Sequence, residues 1–328
     1  MRAAVITSAG GPDVLEIQER PTPVAGTGEI LVRIRASALN RADLLQRAGR
    51  YAAPSGVPSD IPGLEFAGEV VACGPNASLH AVGTRVAGLV AGGAHAEFLV
   101  THERSVAVVS EGISWEQAGA SPEACITAHD ALRQVGLRPG ETVLVHAVGS
   151  GVGLAAVQIA QRLGAAGVFG TARGAAKLDA AASVGMTHGA QAGEGGWLAD
   201  AVKGWTRGQG IDVVVDLVGG DYLRESVAIM APKGRIIVVG LLAGRQSHLD
   251  LGTLLNRRLS VRGTVLRSRP IEERITVTQD FQREVMPWLA KGEVSMRIDS
   301  SFPLARIADA HARLESNQTI GKVAISFD

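Results

Sequence analysis

The sequence has little of several features that would assign its class at once. Only Cys73 and Cys125 carry thiols, too few for a four-cysteine zinc lobe or a disulfide framework, so a reducing compartment and a cytoplasmic location are expected. Neither sign of charge is in excess, with 32 basic and 32 acidic side chains among 328 residues. This balance argues against broad electrostatic binding to nucleic acid or to an acidic membrane.

Membrane and targeting signals are also scarce. The first residues contain no basic segment followed by an apolar run, so no signal peptide is predicted. The least charged long stretch, residues 142–162, contains His146, Ser150 and several glycines, which argues against a membrane span. The length suggests about two domains.

The rest of the chain is arranged around residues 142–162, TVLVHAVGSGVGLAAVQIAQR. Residues 142–146 have the apolar, β-branched pattern of a buried strand, and a helical period starts at Leu154. Glycines 149, 151 and 153 lie between them. A strand, a glycine turn and a helix form a phosphate-binding unit, since backbone N–H groups at the helix N-terminus receive a pyrophosphate. The dinucleotide spacing G-x-G-x-x-G is incomplete here, with Val148 and Ser150 in glycine positions, so a plain tight turn stays open.

Residues 1–120 are predicted to be mostly β. Short alternating or apolar segments separated by Gly and Pro indicate a small barrel and not a parallel sheet. The predicted strands are 3–7, 15–19, 29–38, 65–73, 85–89 and 95–100, with one or two helical turns at 41–48.

From residue 114 onward strands and helices alternate, which predicts a parallel, doubly wound sheet of the Rossmann kind. Strands are expected at 142–146, 167–171, 212–217, 235–240 and 259–264, and helices at 115–120, 124–135, 175–183, 195–205 and 222–230. The remainder, a helix at 271–291, strands at 295–302 and 322–327 and a helix at 304–315, is too short for a domain. We therefore predict a β domain at 1–120, a cofactor domain at 121–264 and a C-terminal return at 265–328, with the cofactor in the cleft between domains.

The residues after the second Rossmann strand favour NADPH over NAD. An NAD site places an acid there for the ribose 2′-hydroxyl, but this sequence has none. Thr171, Arg173 and Lys177 supply the hydroxyl and cations that a 2′-phosphate needs. A solvated helix start is the alternative explanation for the two cations.

Several motifs together resemble one family. They are Asn40-Arg41-Ala42-Asp43-Leu44, Gln46-Arg47, Tyr51, Pro62-Gly63-Leu64-Glu65-Phe66-Ala67-Gly68, HAVGSGVGLAAVQIA and the tail NQTIGKVAI. They resemble the zinc-free quinone oxidoreductases of the medium-chain dehydrogenase/reductase superfamily, of the p53-inducible and zeta-crystallin type, over essentially the whole chain. The resemblance implies an α/β protein with a GroES-like β-barrel catalytic domain and a Rossmann domain. It also implies a homodimer joined through the cofactor domains and hydride transfer from NADPH to a quinone.

The same resemblance assigns candidate site residues. Tyr51 is the catalytic candidate on the acceptor side, where a phenol can bind a quinone carbonyl and donate a proton, or else it only packs in its loop. Asn40 is expected near the nicotinamide ribose, or else it turns the strand end. Thr127 is expected to line the nicotinamide pocket, or else its hydroxyl bonds back to its helix. The remaining cofactor candidates are Ser150, Gly151, Val152 and Gly153 at the pyrophosphate, the backbones of Gly240, Leu241, Leu242, Thr264 and Leu266 at the nicotinamide end, and Lys322 at a phosphate.

No metal site is predicted. The zinc-bearing relatives place Cys and His at positions that match Asn40 and Leu64, and Glu65 alone is not a site. Without a Lewis acid, alcohol oxidation is disfavoured, whereas a quinone already accepts electrons readily. We expect His146 to be a satisfied core histidine, Cys125 a small buried group and Glu123 a helix cap.

Three functions stay open at this point. The first is an NADPH:quinone reductase. The second is reduction of an activated alkene, such as an enal or a 2-enoyl thioester, for which Arg267 and Arg269 would line a cationic cleft. The third is a non-enzymatic, NADPH-dependent interaction with another macromolecule, with no role in nucleic-acid binding expected.

Overall fold

The structure, a computed structural model, describes residues 1–193 and 196–327. By its internal contacts the chain divides into two compact units. Unit 1 contains Met1–Ile126 together with Leu266–Asp328, and unit 2 contains Thr127–Val265. Across the two described stretches, no helix has both the length and the apolar character that crossing a bilayer requires.

The N-terminal part of unit 1 is built mainly of strands, because its apolar residues alternate with polar ones. Its elements are β1 (Arg2–Ile6), β2 (Leu15–Glu19), β3 (Glu29–Ala38), α1 (Arg41–Arg47), β4 (Glu65–Cys73), β5 (Arg85–Leu89), β6 (Phe98–His102), β7 (Val106–Val108) and α2 (Trp115–Ala120), with short 3₁₀ turns at Pro12–Val14 and Glu103–Ser105. The predicted strand at 95–100 begins later, at Phe98, because the preceding main chain pairs elsewhere: the N–H of Ala4 donates to the carbonyl of His95.

The middle of the chain alternates strand and helix. Its elements are α3 (Pro122–Gln134), β8 (Thr142–Val145), α4 (Gly151–Arg162), β9 (Gly167–Ala172), α5 (Ala175–Ala182), β10 (His188–Gln191), α6 (Trp197–Trp205), β11 (Ile211–Asp216), α7 (Asp221–Ile229), β12 (Met230–Val238), α8 (Leu251–Arg257) and β13 (Ser260–Gly263). The predicted α6 start at residue 195 lies outside the described residues. The sequence did not predict β10 or α8.

The C-terminal segment completes unit 1. Its elements are α9 (Ile271–Asp280), a π-helical turn (Phe281–Val285), α10 (Met286–Ala290), β14 (Ile298–Pro303), a 3₁₀ turn (Leu304–Arg306), α11 (Ile307–Glu315) and β15 (Lys322–Ser326). The single helix predicted at 271–291 is therefore interrupted by the π turn. β15 pairs antiparallel with β3, so the end of the chain joins the sheet formed by its beginning.

Each unit has its own sheet. In unit 1 the strand order is β14-β15-β3-β4-β5-β7, with β6 paired to β3. In unit 2 the order is β10-β9-β8-β11-β12-β13, and every pairing is parallel. This is the doubly wound Rossmann arrangement that the alternation of elements predicted, in which the carboxyl ends of the strands form one binding edge.

Burial follows from these two sheet types. β3 contributes the alternating Ile30, Val32 and Ile34 to the core of unit 1, where they meet Phe66 of β4 and Ile325 of β15. In unit 2, β9 is buried along its whole length because helices cover both faces of a parallel sheet. This two-sided burial also encloses the side chain of Thr171.

Candidate active site

The turn after β8 presents the start of α4 at the carboxyl edge of the sheet. Ala147 has φ +50°, a left-handed conformation that a non-glycine residue adopts only under local constraint. Ser150 caps α4, and its Oγ accepts a hydrogen bond from the N–H of Gly153 at 3.0 Å. The N–H groups of Gly151 and Val152 begin the helix and have no carbonyl within it to bond. The turn therefore offers two amides and the Ser150 hydroxyl proton to an anion.

The glycines of this turn act through close packing. A Cβ on Gly153 would lie 2.6 Å from the carbonyl oxygen of Ala147 and 2.7 Å from Val148 Cα, so only glycine lets α4 start here. Because the Gly153 N–H is taken by Ser150, its predicted part in binding pyrophosphate is indirect. A Cβ on Gly149 would lie 2.6 Å from Cβ of Lys177, which shows that the Lys177 stem lies against the turn.

Thr171 does not face this edge, and its predicted contact with a 2′-phosphate is wrong. Its side chain is fully buried, and Oγ1 lies 2.8 Å from Nδ1 of His146. Nε2 of His146 lies 2.8 Å from Oγ of Ser226, so both ring nitrogens have partners. Burial lowers the pKa of His146 to about 3, which keeps the ring neutral. The satisfied core histidine is confirmed, and it holds the Thr171 hydroxyl inside the unit.

Arg173 follows β9 and is exposed, as a phosphate ligand requires. Its charge acts on Tyr222 in α7: burial raises the pKa of that phenol, and the guanidinium of Arg173 opposes the rise. The Tyr222 ring also meets His146 edge-on at 4.9 Å between centroids and Trp197 at 6.1 Å. The sequence did not predict a role for Tyr222, whose only signal was its place in the helix that follows the Gly219-Gly220 turn.

Three buried side-chain oxygens of unit 2 have no hydrogen-bond partner among the atoms that the structure describes. They are Oγ1 of Thr127, Oδ2 of Asp216 and Oγ of Ser247. Oδ1 of Asp216, by contrast, accepts from the N–H groups of Val218 and Gly219 at 2.8 and 2.9 Å. The alternative for Thr127, a hydroxyl bonded back to its own helix, is wrong. A buried polar oxygen without a partner is costly, so such atoms mark places where a ligand or water binds.

The other predicted backbone contacts follow β12 and β13. Gly240 lies against Leu217, with 2.5 Å from an added Cβ to the Leu217 carbonyl oxygen, while Leu241 and Leu242 are exposed. The Thr264 hydroxyl accepts from Nε2 of Gln134 at 2.8 Å. Leu266 is buried and belongs to unit 1.

A buried ionic cluster lies at the start of α1 in unit 1. The ammonium of Lys322 donates to the carbonyl of Leu39 at 3.0 Å, to Asn40 Oδ1 at 2.6 Å and to Glu65 Oε1 at 2.5 Å. Nδ2 of Asn40 donates to the same Glu65 oxygen at 2.9 Å. Lys322 is 4% exposed and Glu65 is fully buried. Three acceptors hold this ammonium inside unit 1, so the predicted contact of Lys322 with a cofactor phosphate is wrong.

Asn40 and Leu64, the two positions that match zinc ligands in the zinc-bearing relatives, have other surroundings here. The Asn40 side chain bonds Glu65 and Lys322, and its main-chain N–H donates to Asp43 at 2.7 Å, so most of its polar groups are already engaged within unit 1. Leu64 is buried and has no ligand atom. Within residues 1–193 and 196–327, no group of three or more His, Cys, Asp and Glu side chains is arranged to hold a metal ion.

Glu123 does more than cap a helix. Its N–H donates to Glu65 Oε2 at 2.9 Å, which places it beside the buried carboxylate at the start of α3. Burial, and next the charge of Glu65, raise its pKa from 4.5 to about 8. Glu123 is therefore a neutral acid at pH 7. Cys125, two residues onward, is fully buried with Sγ 3.7 Å from Met296 Sδ, and burial raises its pKa, as expected of an inert thiol.

Tyr51 lies beside Arg267, a pairing that the sequence did not predict. The Arg267 Cζ is 4.7 Å from the centroid of the Tyr51 ring. Burial raises the pKa of Tyr51, partly opposed by the Arg267 charge, so the phenol keeps its proton at neutral pH. Arg267 is only 6% exposed and therefore does not line a surface cleft of the kind that a thioester arm was expected to need.

Comparison with known proteins agrees with this architecture. Residues 26–136 match the alcohol dehydrogenase GroES-like domain family, and residues 151–291 match the zinc-binding dehydrogenase family. A quinone oxidoreductase of Pseudomonas aeruginosa is 34% identical over 96% of each chain. The human synaptic vesicle membrane protein VAT-1 homolog is 30% identical over 99% of this chain and 86% of its own. The Escherichia coli quinone oxidoreductase complexed with NADPH superposes with a TM-score of 0.87 at 28% identity, covering 99% of this chain and 100% of that one.

The two matched domains define a medium-chain dehydrogenase/reductase, an oxidoreductase with a GroES-like and a Rossmann part. Within that superfamily the chain belongs to the quinone oxidoreductase family, as the sequence motifs predicted.

Proposed function

We propose that this protein is an NADPH-dependent quinone oxidoreductase that works without a metal ion. The observation that carries the proposal is the Lys322 ammonium, which binds Glu65 and also Asn40, one of the two positions that match ligands of the zinc-bearing relatives. An ammonium in this position already supplies the positive charge that a buried carboxylate needs. Leu64 supplies no ligand atom, so Asn40 and Glu65 are too few to hold zinc.

The residues of unit 2 fit a nicotinamide dinucleotide. The Gly151 and Val152 amides and the Ser150 hydroxyl would bind the pyrophosphate, with the dipole of α4 behind them. Arg173 and Lys177 would bind the 2′-phosphate, since Lys177 lies over the turn and Arg173 is exposed at the end of β9. Thr127 Oγ1 and the backbone of 240–242 would contact the nicotinamide end. The bound dinucleotide supplies the hydride.

Unit 1 supplies the acceptor side. Tyr51 is protonated at neutral pH and half-exposed, which suits a phenol that binds an acceptor carbonyl and gives up a proton. Asn40, Glu65 and Lys322 are committed to one another and would shape the site and not contact the acceptor.

The test is NADPH oxidation by the purified protein with three acceptors in parallel: 9,10-phenanthrenequinone, 1,4-benzoquinone and crotonyl-CoA. We expect turnover with the quinones. Rapid turnover with the thioester alone would replace the proposal by alkene reduction. Tight NADPH binding with no turnover of any acceptor would favour a binding role.

We also propose a homodimer formed through unit 2. Among the strands that the structure describes, β13 is the last of its sheet and pairs with β12 alone, and all four of its residues are exposed. An unpaired strand edge is a ready site for pairing with a second copy. Light scattering should report a dimer, and Val261→Lys should shift it to monomer. The two free thiols, one buried and one exposed, support the cytoplasm as the location.

A further inference from the structure

Arg267 has an unusual environment for a charged side chain. It is 6% exposed, its Nε donates to the carbonyl of Ala91 at 2.8 Å, and Nη2 donates to Gln46 Oε1 at 2.5 Å. Gln46 is itself held by Nε2, which donates to the carbonyl of Ser59 at 3.0 Å, so its oxygen must face the guanidinium. Two bonds to fixed oxygens therefore leave the guanidinium little freedom.

The third nitrogen of this guanidinium, Nη1, is buried and has no hydrogen-bond partner among the described residues. No carboxylate in those residues forms a salt bridge with Arg267; Asp43 and Glu123 act on it only through their fields. A buried, charged donor left unsatisfied is costly, so such a group marks a place where a ligand or a water can bind. Nε and Nη2 already anchor Arg267 to Ala91 and Gln46, so anchoring does not explain why Nη1 is buried without a partner.

The position of Tyr51 indicates what that ligand is. Arg267 Cζ lies 4.7 Å from the centroid of the Tyr51 ring, so the guanidinium and the phenol belong to the same part of unit 1. We infer that Arg267 binds the carbonyl oxygen of the acceptor through Nη1 and stabilises the negative charge that this oxygen gains on reduction. This inference rests on the proposed function and gives the acceptor side its second group.

Reduction of a quinone to a hydroquinone takes one hydride and one proton. A quinone takes two electrons and one proton as a hydride from the reduced dinucleotide, which becomes oxidised, and one quinone oxygen becomes a phenolate-type anion. The Tyr51 hydroxyl then transfers its proton to that anion, giving the neutral hydroquinone. The tyrosinate left behind takes a proton from solvent. Arg267 opposes the raised pKa of Tyr51, so it stabilises both anions in turn.

Arg267→Met tests the inference, with Arg267→Lys as the conservative variant. Removal of one donor to a developing oxyanion typically lowers kcat by roughly 100- to 1000-fold. We expect a loss of this size for 9,10-phenanthrenequinone with Arg267→Met, an unchanged KM for NADPH, and partial recovery with Arg267→Lys, which keeps the charge.

Arg85→Met is the matched control, because Arg85 Nε is also buried without a partner among the described residues, but its aromatic neighbour is Trp115 and not the acceptor-side candidate Tyr51. Arg85 also stacks on an aromatic ring, with Cζ 4.0 Å from the Trp115 centroid, and also donates to main-chain carbonyls, those of Ile113 and Glu111. It should report what the loss of a stacked arginine does to folding, and its kcat should stay at the wild-type value. Equal kcat losses in both variants, matched by equal losses of folded protein, would show that Arg267 is only structural.

A binding measurement separates this inference from the proposed function. 4-Nitrophenolate resembles the anion of a reduced quinone, and its absorbance band reports binding without turnover. We expect wild type with NADPH to bind it and Arg267→Met to bind it at least about 10-fold more weakly, the typical effect of a lost charged hydrogen bond. Unchanged binding and unchanged quinone turnover in Arg267→Met would overturn the inference. Absent quinone turnover in wild type, with Arg267-dependent phenolate binding, would overturn only the function.

Discussion

Lys322 and Glu65, 257 positions apart in the sequence, form a buried ion pair with 2.5 Å between Nζ and Oε1. The carboxylate also accepts from Asn40 and from the main chain of Glu123, so all of its close partners are donors. This relationship supports the metal-free proposal and gives the first prediction.

Lys322→Met should destabilise the protein by about 3–5 kcal/mol, the usual result of leaving one member of a buried pair uncompensated. The double variant Glu65→Gln/Lys322→Met should recover much of that loss, because neither member of the pair then carries a charge. Denaturant unfolding measures both, with Lys291→Met, at an exposed position, as control. A loss within the range of the control would show that the pair contributes little.

Stability should fall as the pH rises from about 4.5 to about 8, because the folded protein holds the Glu123 proton far more tightly than the unfolded chain. Below that window the group contributes no penalty, and above it the penalty is constant. Glu123→Gln should remove the dependence and gain roughly 1–3 kcal/mol over wild type at pH 9. The measurement is urea unfolding at several pH values. Glu111→Gln, an exposed change, should follow wild type throughout.

Arg173→Glu should raise KM for NADPH by roughly 10- to 100-fold, the equivalent of one lost charged hydrogen bond, and leave KM for NADH nearly unchanged. The cause would be repulsion of the 2′-phosphate. Steady-state kinetics with both dinucleotides decide the point, and Lys203→Glu, exposed on α6, serves as control. Similar effects on both dinucleotides would mean that Arg173 does not contact the 2′-phosphate.

Gly153→Ala should cost about 1–3 kcal/mol and weaken NADPH binding, since the added methyl meets the backbone of Ala147 and Val148 and displaces the start of α4. Gly204→Ala is the matched control, because its Cβ would meet nothing within 4 Å in helix α6. That change should stabilise the protein by about 0.5–1 kcal/mol. Thermal unfolding and fluorescence titration with NADPH distinguish the two.

Exhaustive treatment with EDTA followed by gel filtration should leave quinone turnover unchanged, because Asn40 and Glu65 already bind the Lys322 ammonium. Zinc added back should not increase the rate. Loss of activity on chelation, restored by zinc alone, would contradict the metal-free proposal.

Periodicity predicted most of the fold because one face of each element is buried. β2, β3, β4 and β5 begin and end at the predicted residues, since alternation and turn residues mark their bounds. It missed β10, whose residues are mostly exposed and include a glycine, and α8, which buries no residue. Neither has the apolar stripe on which such a prediction depends.

Chemical roles were harder to predict, because they depend on which way a side chain points. Thr171 reads as a strand-end hydroxyl, but two-sided burial of β9 turns it toward His146. Arg267 stands in a run with Arg269 that reads as solvated charge, and only the packing of Ala91 and Gln46 shows it to be buried. The partner of Lys322 lies too far along the chain for any local pattern to reveal it.

Because β15 pairs with β3, the sheet of unit 1 cannot be completed until translation is almost finished. Glu65 leaves the ribosome long before Lys322 is translated, so a nascent unit 1 holds a carboxylate that cannot yet be sheltered from water. The contiguous Thr127–Val265 segment meets no such delay and can fold while translation continues. A ribosome stalled before residue 322 would therefore carry a chain in which unit 2 has folded while the sheet of unit 1 still lacks β15.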